Sequence, residues 1–285
     1  METSSLARYW AARFVAGETL DQALDVSRRL NSEGITVTLD HLGESVTTLE
    51  EAAAARDVYL RTLSAIHDSG IQGNVSLKLT QFGLDFSYSR CRANVEQLVR
   101  RAVELKSFVR VDMESSRYTD RTLELVTDLH QHHGAVGVVI QSYLRRSKSD
   151  IEKLCADRIR VRLCKGAYLE PPEAAFQKKA EVDQSYLALM ELLLTKGVYP
   201  AFATHDEQII RQIRDFAARN QIARDGFEFQ MLYGIRRDLQ KRLAADGYRL
   251  RLYVPFGKAW YPYYMRRLAE RPANLLFILR HLFRQ

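Results

Sequence analysis

The sequence predicts an α/β protein, a (βα)8 barrel of the TIM type. Short runs rich in β-branched residues alternate with longer amphipathic stretches from residue 35 to the end. About eight strand–helix units within about 250 residues fit a closed barrel better than an open sheet. The predicted strands are residues 35–40, 74–80, 108–114, 135–141, 158–164, 200–205, 227–232 and 249–256.

Helices are predicted between these strands from capping and breaking signals. One runs through TTLEEAAAARDVYLRTLSAIHDSG and ends at Gly70, and another starts after Pro171. Residues 5–33 are predicted to be helical and to precede the barrel. Because no linker-like or low-complexity segment is present, we predict only a helical N-terminal extension, residues 1–34, and one barrel domain, residues 35–285.

Composition limits the class of protein. The chain has 285 residues, 46% of them hydrophobic, which is enough for one large core. Its three cysteines, Cys91, Cys155 and Cys164, are odd in number and lack metal-ligand spacing, which argues against a disulfide framework. The sequence shows no signal-peptide pattern and no apolar run of about eighteen residues. We therefore expect a cytoplasmic protein.

The chain is basic, with 42 Lys and Arg against 35 Asp and Glu, a formal charge of +7 and a pI near 9.3. The basic residues are scattered and accompany no recognition motif or stacking platform, so we do not expect nucleic-acid binding. Excess positive charge is compatible with peripheral contact at the inner face of the cell membrane.

Several familiar motifs are missing from the sequence, namely GxGxxG, GxxxxGK[ST], HExxH and CxxC. A Rossmann-type nucleotide site, a P-loop, a zincin and a dithiol site are therefore unsupported. The predicted C-terminus of a helix contains His130, His132 and His133. It lies at the end of the barrel opposite to the mouth, which is the end where the strands have their carboxyl ends. We interpret this cluster as structural and expect no metal site.

The most informative segment is YVPFGKAWYPYYMRRLAERPAN, which follows the last predicted strand. Pro262 suits the first turn of a helix, and Glu270 then lies one turn after Arg266 and Arg267, so one carboxylate can hold both guanidinium groups. Such a pair matches a substrate carboxylate, although a solvated surface ion pair has the same spacing. Flat walls for a small ring are available from Tyr253, Tyr261, Tyr263 and Tyr264.

Chemistry in such barrels gathers at the carboxyl ends of the strands. Lys78 in SLKLT suits either a carboxylate clamp or a depressed-pKa amine that forms a Schiff base. Asp112 in VRVDMESS can orient a neighbouring cation or tyrosine, or accept a proton. Arg162 and Lys165 precede Gly166, where the backbone can approach a ligand closely, although an ordinary strand-to-helix loop has the same composition.

Seven segments resemble, in order, the monofunctional bacterial proline dehydrogenases: SLKLTQFGL, RVDMESS, VVIQSYLRR, RVRLCKGAY, AFATHDE, FEFQMLYG and RLYVPFGKAWYPYYMRRLAERPAN. The resemblance covers most of the chain from about residue 35, and YxxRRxxE is its most specific part. It implies a distorted (βα)8 barrel with its C-terminal helix over the active site. It also implies non-covalent FAD and oxidation of L-proline to Δ1-pyrroline-5-carboxylate, the first step of proline catabolism to glutamate, by hydride transfer to flavin N5.

The resemblance assigns roles to the matching positions. Asp112 and Arg162 are the implied catalytic residues, with Asp112 organising the substrate pocket and Arg162 beside flavin N5. The implied substrate-binding residues are Lys78, Tyr168, Leu232, Tyr253, Tyr263, Arg266, Arg267 and Glu270. The implied FAD-binding residues are Met113, Gln141, Arg162, Lys165, Gly166, Ala167, Thr204 and His205.

The resemblance also implies partners. Electrons would pass to a quinone-type acceptor, and the product to a separate pyrroline-5-carboxylate dehydrogenase, because the dehydrogenase module fused to some bacterial relatives is not in this sequence. Two alternatives stay open. One is a Schiff-base lyase or aldolase that uses Lys78 or Lys165, and the other is a non-enzymatic barrel that binds an anionic ligand.

Overall fold

The computed structural model describes residues 13–43 and 46–261. Eight parallel strands close a barrel in chain order, and the last strand pairs with the first from Thr36 opposite Arg251 to His41 opposite Phe256. The strands are β1 (Thr36–His41), β2 (Gly73–Leu77), β3 (Val109–Val111), β4 (Val136–Gln141), β5 (Val161–Cys164), β6 (Ala201–Ala203), β7 (Glu228–Leu232) and β8 (Arg249–Phe256). The predicted (βα)8 barrel is confirmed, and each predicted strand overlaps an observed one.

Helices surround the strands. Within the described ranges they are α1 (Leu20–Ser32), α2 (Leu49–Asp68), α3 (Tyr88–Glu104), α4 (Thr119–His133), α5 (Ser147–Ala156), α6 (Lys179–Lys196), α7 (Glu207–Arg219) and α8 (Arg237–Ala245). Helices α2 to α8 follow β1 to β7 in turn. Short 3-10 turns at Leu79–Phe82 and Ser116–Tyr118 follow β2 and β3.

Helix α1 packs against β1 and β8, where it covers the seam that closes the barrel. It begins at Leu20 with a capping box between Thr19 and Gln22. The predicted helix is therefore wrong for residues 13–19, because the backbone there pairs with the end of β8: the Ala16 N–H donates to the Pro255 carbonyl at 2.8 Å. The predicted division of the chain after residue 34 stays a prediction.

Helix α6 begins at Lys179, so the predicted helix after Pro171 is wrong for residues 172–178. The intervening segment instead pairs with the loop that follows β4. Ala175 forms an antiparallel bridge with Leu144, and the Phe176 N–H donates to the Tyr143 carbonyl at 2.8 Å. A non-local backbone pairing thus replaces the first helical turns.

Side chains along the strands alternate between two environments. One set is fully buried and apolar and packs under the helices, including Val37, Leu39, Val75, Leu77, Val111, Leu163, Phe202 and Leu252. The other set points into the barrel and is polar, including Thr38, Asn74, Ser76, Arg110, Asp112, Arg162, Glu228 and Arg251. The interior of this barrel is therefore a hydrogen-bonded polar core, whereas branched aliphatic residues usually fill such barrels.

The deeper part of this interior, which we call the lower network, consists of Thr38, Asn74, Arg110, Glu228 and Arg251. Arg251 Nε donates to both carboxylate oxygens of Glu228 at 2.9 and 3.1 Å, and Arg251 Nη1 donates to Asn74 Oδ1 at 3.0 Å. Arg110 Nη1 donates to the backbone carbonyls of residues 138 and 160 at 3.1 and 2.7 Å. Burial alone would raise the pKa of Glu228, but Arg251, the hydrogen bond from Gln230 and the Arg110 charge together lower it.

The histidine cluster ends α4 at the amino-terminal side of the barrel, as predicted. His130 Nδ1 lies 3.3 Å from a backbone carbonyl oxygen, and His132 Nδ1 lies 2.7 Å from another. His133 Nε2 lies 3.0 Å from a carboxylate oxygen of Glu96. Gly134 then stops the helix at φ 79°. These contacts support the structural interpretation. Across residues 13–43 and 46–261, no group of three or more His, Cys, Asp or Glu is placed to hold a metal ion.

Candidate active site

Asp112 is the centre of a charged cluster at the carboxyl ends of the strands. It follows β3, and its backbone N–H donates to the Leu77 carbonyl at 2.8 Å, which extends the strand pairing by one step. Oδ1 accepts from Ser76 Oγ at 2.6 Å and from Arg162 Nη1 at 2.8 Å, and Oδ2 accepts from Tyr253 Oη at 2.8 Å. Strands β2, β3, β5 and β8 thus meet at one carboxylate.

The cluster keeps Asp112 ionised. Burial by itself would raise the pKa of Asp112, but the charges of Arg162 and Lys78 and the hydrogen bonds from Ser76 and Tyr253 hold it below its usual value. For Tyr253, burial and then the neighbouring Asp112 charge raise the pKa well above the ordinary tyrosine value. The phenol therefore stays protonated and donates to Asp112.

Lys78 follows β2 and lies in the same cluster. Its Nζ is 3.6 Å from Asp40 Oδ2, 3.9 Å from Asp112 Oδ2 and 3.5 Å from Tyr253 Oη, and 15% of the side chain is exposed. Asp40 is in turn held by Tyr59, whose hydroxyl donates to Asp40 Oδ1 at 3.1 Å. Lys78 thus lies in a cluster with two carboxylates, a setting that suits the clamp interpretation.

The buried polar atoms at the mouth that have no hydrogen-bond partner among the described residues include Arg162 Nε and Gln141 Oε1. Both residues are nearly fully buried. The Gln141 amide is fixed from its other side, because Nε2 donates to the Met113 carbonyl at 3.2 Å. Buried unsatisfied donors and acceptors are costly, and a polar ligand at the mouth can satisfy these two.

The loop after β5 approaches its neighbours closely at Gly166. Its φ is +113°, and a Cβ there would lie 2.4 Å from the Tyr143 ring. Lys165, directly before it, pairs with Asp183 at 2.5 Å and with Asp206 at 3.2 Å. These contacts join the β5 loop to the first turns of α6 and α7.

The ends of β6 and β7 bring a second group of predicted residues together. His205 Nε2 accepts from the Leu232 N–H at 3.0 Å, so the ring proton is assigned to Nδ1 in this arrangement. Leu232 lies opposite Tyr253 in the β7–β8 register, which places it beside the Asp112 cluster. Thr204 Oγ1 accepts from the Asp206 N–H at 3.1 Å.

Some predicted residues are not brought into this cluster. Ala167 and Tyr168 are exposed on the β5–α6 loop, with 38% of Tyr168 accessible. Tyr263, Arg266, Arg267 and Glu270 lie outside the described residues. Their predicted roles stay predictions.

The structure also adds residues that the sequence had not singled out. Ser76 contacts both Asp112 and Arg162, and Asp183 and Asp206 hold Lys165. Ser76 precedes Lys78 by two residues on a strand, and that period places both on one face. The spacing was thus a usable signal for Ser76, whereas the aspartates become partners of Lys165 only through helix packing.

The chain forms a closed barrel with a buried cluster of cations and carboxylates at the carboxyl ends of its strands. These features are typical of barrel proteins that bind a polar ligand at the mouth of the barrel. The family model described as "Proline dehydrogenase" matches residues 23–280. The chain belongs to the proline dehydrogenase family, whose members are oxidoreductases that act on proline.

Individual relatives agree. The chain is 38% identical over 279 residues to "Proline dehydrogenase 2" of Bacillus subtilis, covering 96% of this chain and 92% of the relative. It is 42% identical to "Proline dehydrogenase" of Deinococcus radiodurans, covering 96% and 90%. Among solved structures, proline utilization A (PutA) of Bdellovibrio bacteriovorus, inactivated by N-propargylglycine, matches with a TM-score of 0.85 and 28% identity over 90% of this chain. This chain covers 32% of that larger protein.

Proposed function

We propose that the protein oxidises L-proline to Δ1-pyrroline-5-carboxylate with non-covalently bound FAD, as the first step of proline catabolism to glutamate. Family membership supports the substrate and the type of reaction. The observation that supports the site is the cluster of Lys78, Asp112, Arg162 and Tyr253, with Arg162 Nε left for a ligand.

The residues at the mouth fit FAD in three respects. Arg162 Nε and Gln141 Oε1 offer an unsatisfied donor and acceptor of the kind that a flavin ring can satisfy. Gly166 takes a φ of +113° and packs directly against the Tyr143 ring, which fixes the backbone of the β5 loop beside these groups. Lys165 on the same loop supplies an ammonium group that Asp183 and Asp206 hold in place. The proposed FAD contacts are Met113, Gln141, Arg162, Lys165, Gly166, Ala167, Thr204 and His205.

FAD, when bound, supplies a hydride acceptor at N5 for the proline ring carbon next to nitrogen. The protein's part is orientation. Lys78, Arg266 and Arg267 hold the proline carboxylate, with Glu270 paired to the two arginines. The ring is enclosed by Tyr168, Leu232, Tyr253 and Tyr263. A carboxylate clamp at one end and aromatic walls at the other convert binding energy into orientation.

Asp112 organises this pocket as an anion near neutral pH. It fixes the guanidinium of Arg162 and the hydroxyl of Tyr253 and contributes to holding Lys78. Because its lowered pKa disfavours the protonated form near neutral pH, we assign it to electrostatic positioning of these groups and leave proton transfer out of its role.

The proposed electron acceptor is a quinone, reached by peripheral contact with the inner face of the cell membrane, and the product passes to a separate pyrroline-5-carboxylate dehydrogenase. The net charge of +7 supports attraction to anionic lipid. Within the described residues no helix is long and apolar enough to span a bilayer. Stronger co-sedimentation with anionic than with neutral vesicles is expected, and equal partitioning contradicts the membrane contact.

The function is tested by assaying purified protein for bound flavin and for turnover of L-proline with an artificial electron acceptor. We expect retained FAD and turnover of L-proline. Borohydride trapping of a substrate on lysine, without flavin, is the result expected from a Schiff-base lyase and contradicts the proposal. Anion binding without flavin or turnover identifies a non-enzymatic barrel.

A further inference from the structure

Ser76 lies on β2 between the two charged residues of the proposed site. It is fully buried, and its Oγ donates to Asp112 Oδ1 at 2.6 Å and accepts from Arg162 Nη2 at 3.2 Å. Arg162 Nη1 donates to the same Asp112 oxygen at 2.8 Å. The three side chains therefore form a closed ring of hydrogen bonds.

This ring fixes the guanidinium of Arg162 in two directions. With one contact alone, the planar group can pivot about that hydrogen bond. Contacts from Nη1 and Nη2 to different partners remove this freedom and determine where Nε points. Nε is the guanidinium nitrogen that has no hydrogen-bond partner in the described part of the chain.

Several other buried hydroxyls in this protein bind only nearby backbone. Ser27 Oγ donates to the Ala23 carbonyl at 2.7 Å, Ser147 Oγ to the Gln141 carbonyl at 2.6 Å and Thr62 Oγ1 to the Val58 carbonyl at 2.8 Å. Each of these three residues therefore satisfies its hydroxyl group with a hydrogen bond to a backbone carbonyl. Both hydrogen bonds of Ser76 instead join charged side chains from β3 and β5.

We propose that Ser76 is a positioning residue that orients the Arg162–Asp112 pair so that Arg162 Nε faces the flavin. This inference rests on the proposed FAD-dependent function. Ser76 does not touch the substrate and acts through Arg162. The same hydroxyl stabilises the Asp112 carboxylate, because its hydrogen bond is among the causes that lower the pKa of Asp112.

The test compares Ser76→Ala with Ser27→Ala, a matched control with the same substitution at another fully buried serine, on α1. With FAD bound, we expect Ser76→Ala to lower kcat about tenfold while the KM for L-proline changes less than about threefold. If Arg162 Nε is held less firmly beside the flavin, it also stabilises the reduced form of the flavin less. We therefore expect the flavin midpoint potential to fall by about 30 mV, which is a tenfold change for a two-electron couple. Ser27→Ala should change neither quantity.

A double-mutant cycle separates positioning from general stability. If Ser76 acts through Arg162, then Ser76→Ala should lower kcat less than about threefold in an Arg162→Lys background. If Ser76→Ala does not fold, Ser76→Cys replaces it in the test, because the thiol fills the space but forms weaker hydrogen bonds. We expect the same changes in kcat and midpoint potential for that variant. Unchanged kcat and potential in a folded Ser76 variant overturn the proposal, as do fully additive effects with Arg162→Lys.

The potential is measured without proline, so the two proposals can fail separately. A wild-type protein that binds FAD but is not reduced by L-proline contradicts the proposed function, and the potentials of the Ser76 variants then still decide the positioning role. A protein that binds no FAD overturns both.

Discussion

The interior of the barrel contains two buried polar networks that differ in how completely they are satisfied. In the lower network, Glu228 and Arg251 pair directly, and every buried side-chain nitrogen or oxygen of its five residues has a hydrogen-bond partner or some solvent access. At the mouth, Arg162 Nε and Gln141 Oε1 are buried without such a partner in the described residues. A complete network stabilises the fold, whereas an incomplete one is suited to a ligand.

The largest expected effect comes from breaking the lower network with Glu228→Gln. This change leaves the buried Arg110 and the partly buried Arg251 without their carboxylate, and breaking a buried pair typically costs about 3–5 kcal/mol. We expect the free energy of unfolding, measured by denaturant titration, to fall by several kcal/mol. A fall below about 0.5 kcal/mol contradicts the structural role of this network.

At the mouth we expect Arg162→Met to lower the rate of flavin reduction strongly, and, because it removes the arginine partner of the Asp112 carboxylate, to lower the free energy of unfolding as well. Removing one donor that faces developing charge typically lowers kcat by about 100-fold or more. The measurement is the rate of anaerobic flavin reduction by saturating L-proline in a stopped-flow instrument. If L-proline reduces the flavin of this variant at the wild-type rate, Arg162 is not a catalytic residue.

Lys78→Met is expected to weaken proline binding while FAD stays bound. A buried hydrogen bond to a charged group is worth about 1.5–3 kcal/mol, so the KM for L-proline should rise at least about tenfold. Arg266→Met and Arg267→Met should behave in the same way if they share the clamp. Unchanged KM values in all three variants rule out the carboxylate clamp.

Acid should affect the fold through both networks. The pKa values of Asp112 and Glu228 are lower in the folded protein than in the unfolded chain. Above the unfolded pKa of about 4, each carboxylate therefore stabilises the fold. This stabilisation is lost as the pH falls through the lower pKa of the folded state. We expect the free energy of unfolding to decrease below about pH 4. Because the amide introduced by Glu228→Gln cannot titrate, that variant should lose less on acidification, and an unchanged acid dependence contradicts this account.

The smallest expected effect is at an exposed ion pair. Glu104 lies 2.8 Å from Arg101 with 62% of its side chain exposed. Exposed pairs contribute about 0–1 kcal/mol, so Glu104→Gln should change the free energy of unfolding by less than about 0.5 kcal/mol. This variant is the surface control for Glu228→Gln, and a loss as large as that of Glu228→Gln undermines the contrast between buried and exposed charges.

Much of this fold was predictable because its signals are local. The alternation of β-branched strands and amphipathic helices located all eight strands, and strand ends pointed to Lys78, Asp112 and Arg162. The start of α6 was missed because Ala175 pairs with Leu144, a contact that depends on the barrel being formed.

The partners within the site were harder to predict. Tyr253 reaches Asp112 across the barrel from a strand 141 residues later in the chain. Nothing in the local sequence of either residue indicates that pairing. Ser76 is an ordinary strand residue until β3 and β5 bring two charged groups to it. Which polar atoms are left unsatisfied depends on these distant contacts, so the sequence could identify the charged residues but not that Arg162 Nε and Gln141 Oε1 lack a partner among the described residues.

The most direct test of the central claim, that the unsatisfied groups at the mouth hold a flavin beside a proline site, is the visible absorption spectrum of the purified protein before and after anaerobic addition of L-proline. We predict flavin absorption bands that bleach when L-proline is added. A colourless protein that gains no flavin bands with added FAD, or flavin bands that L-proline leaves unchanged, contradicts the account.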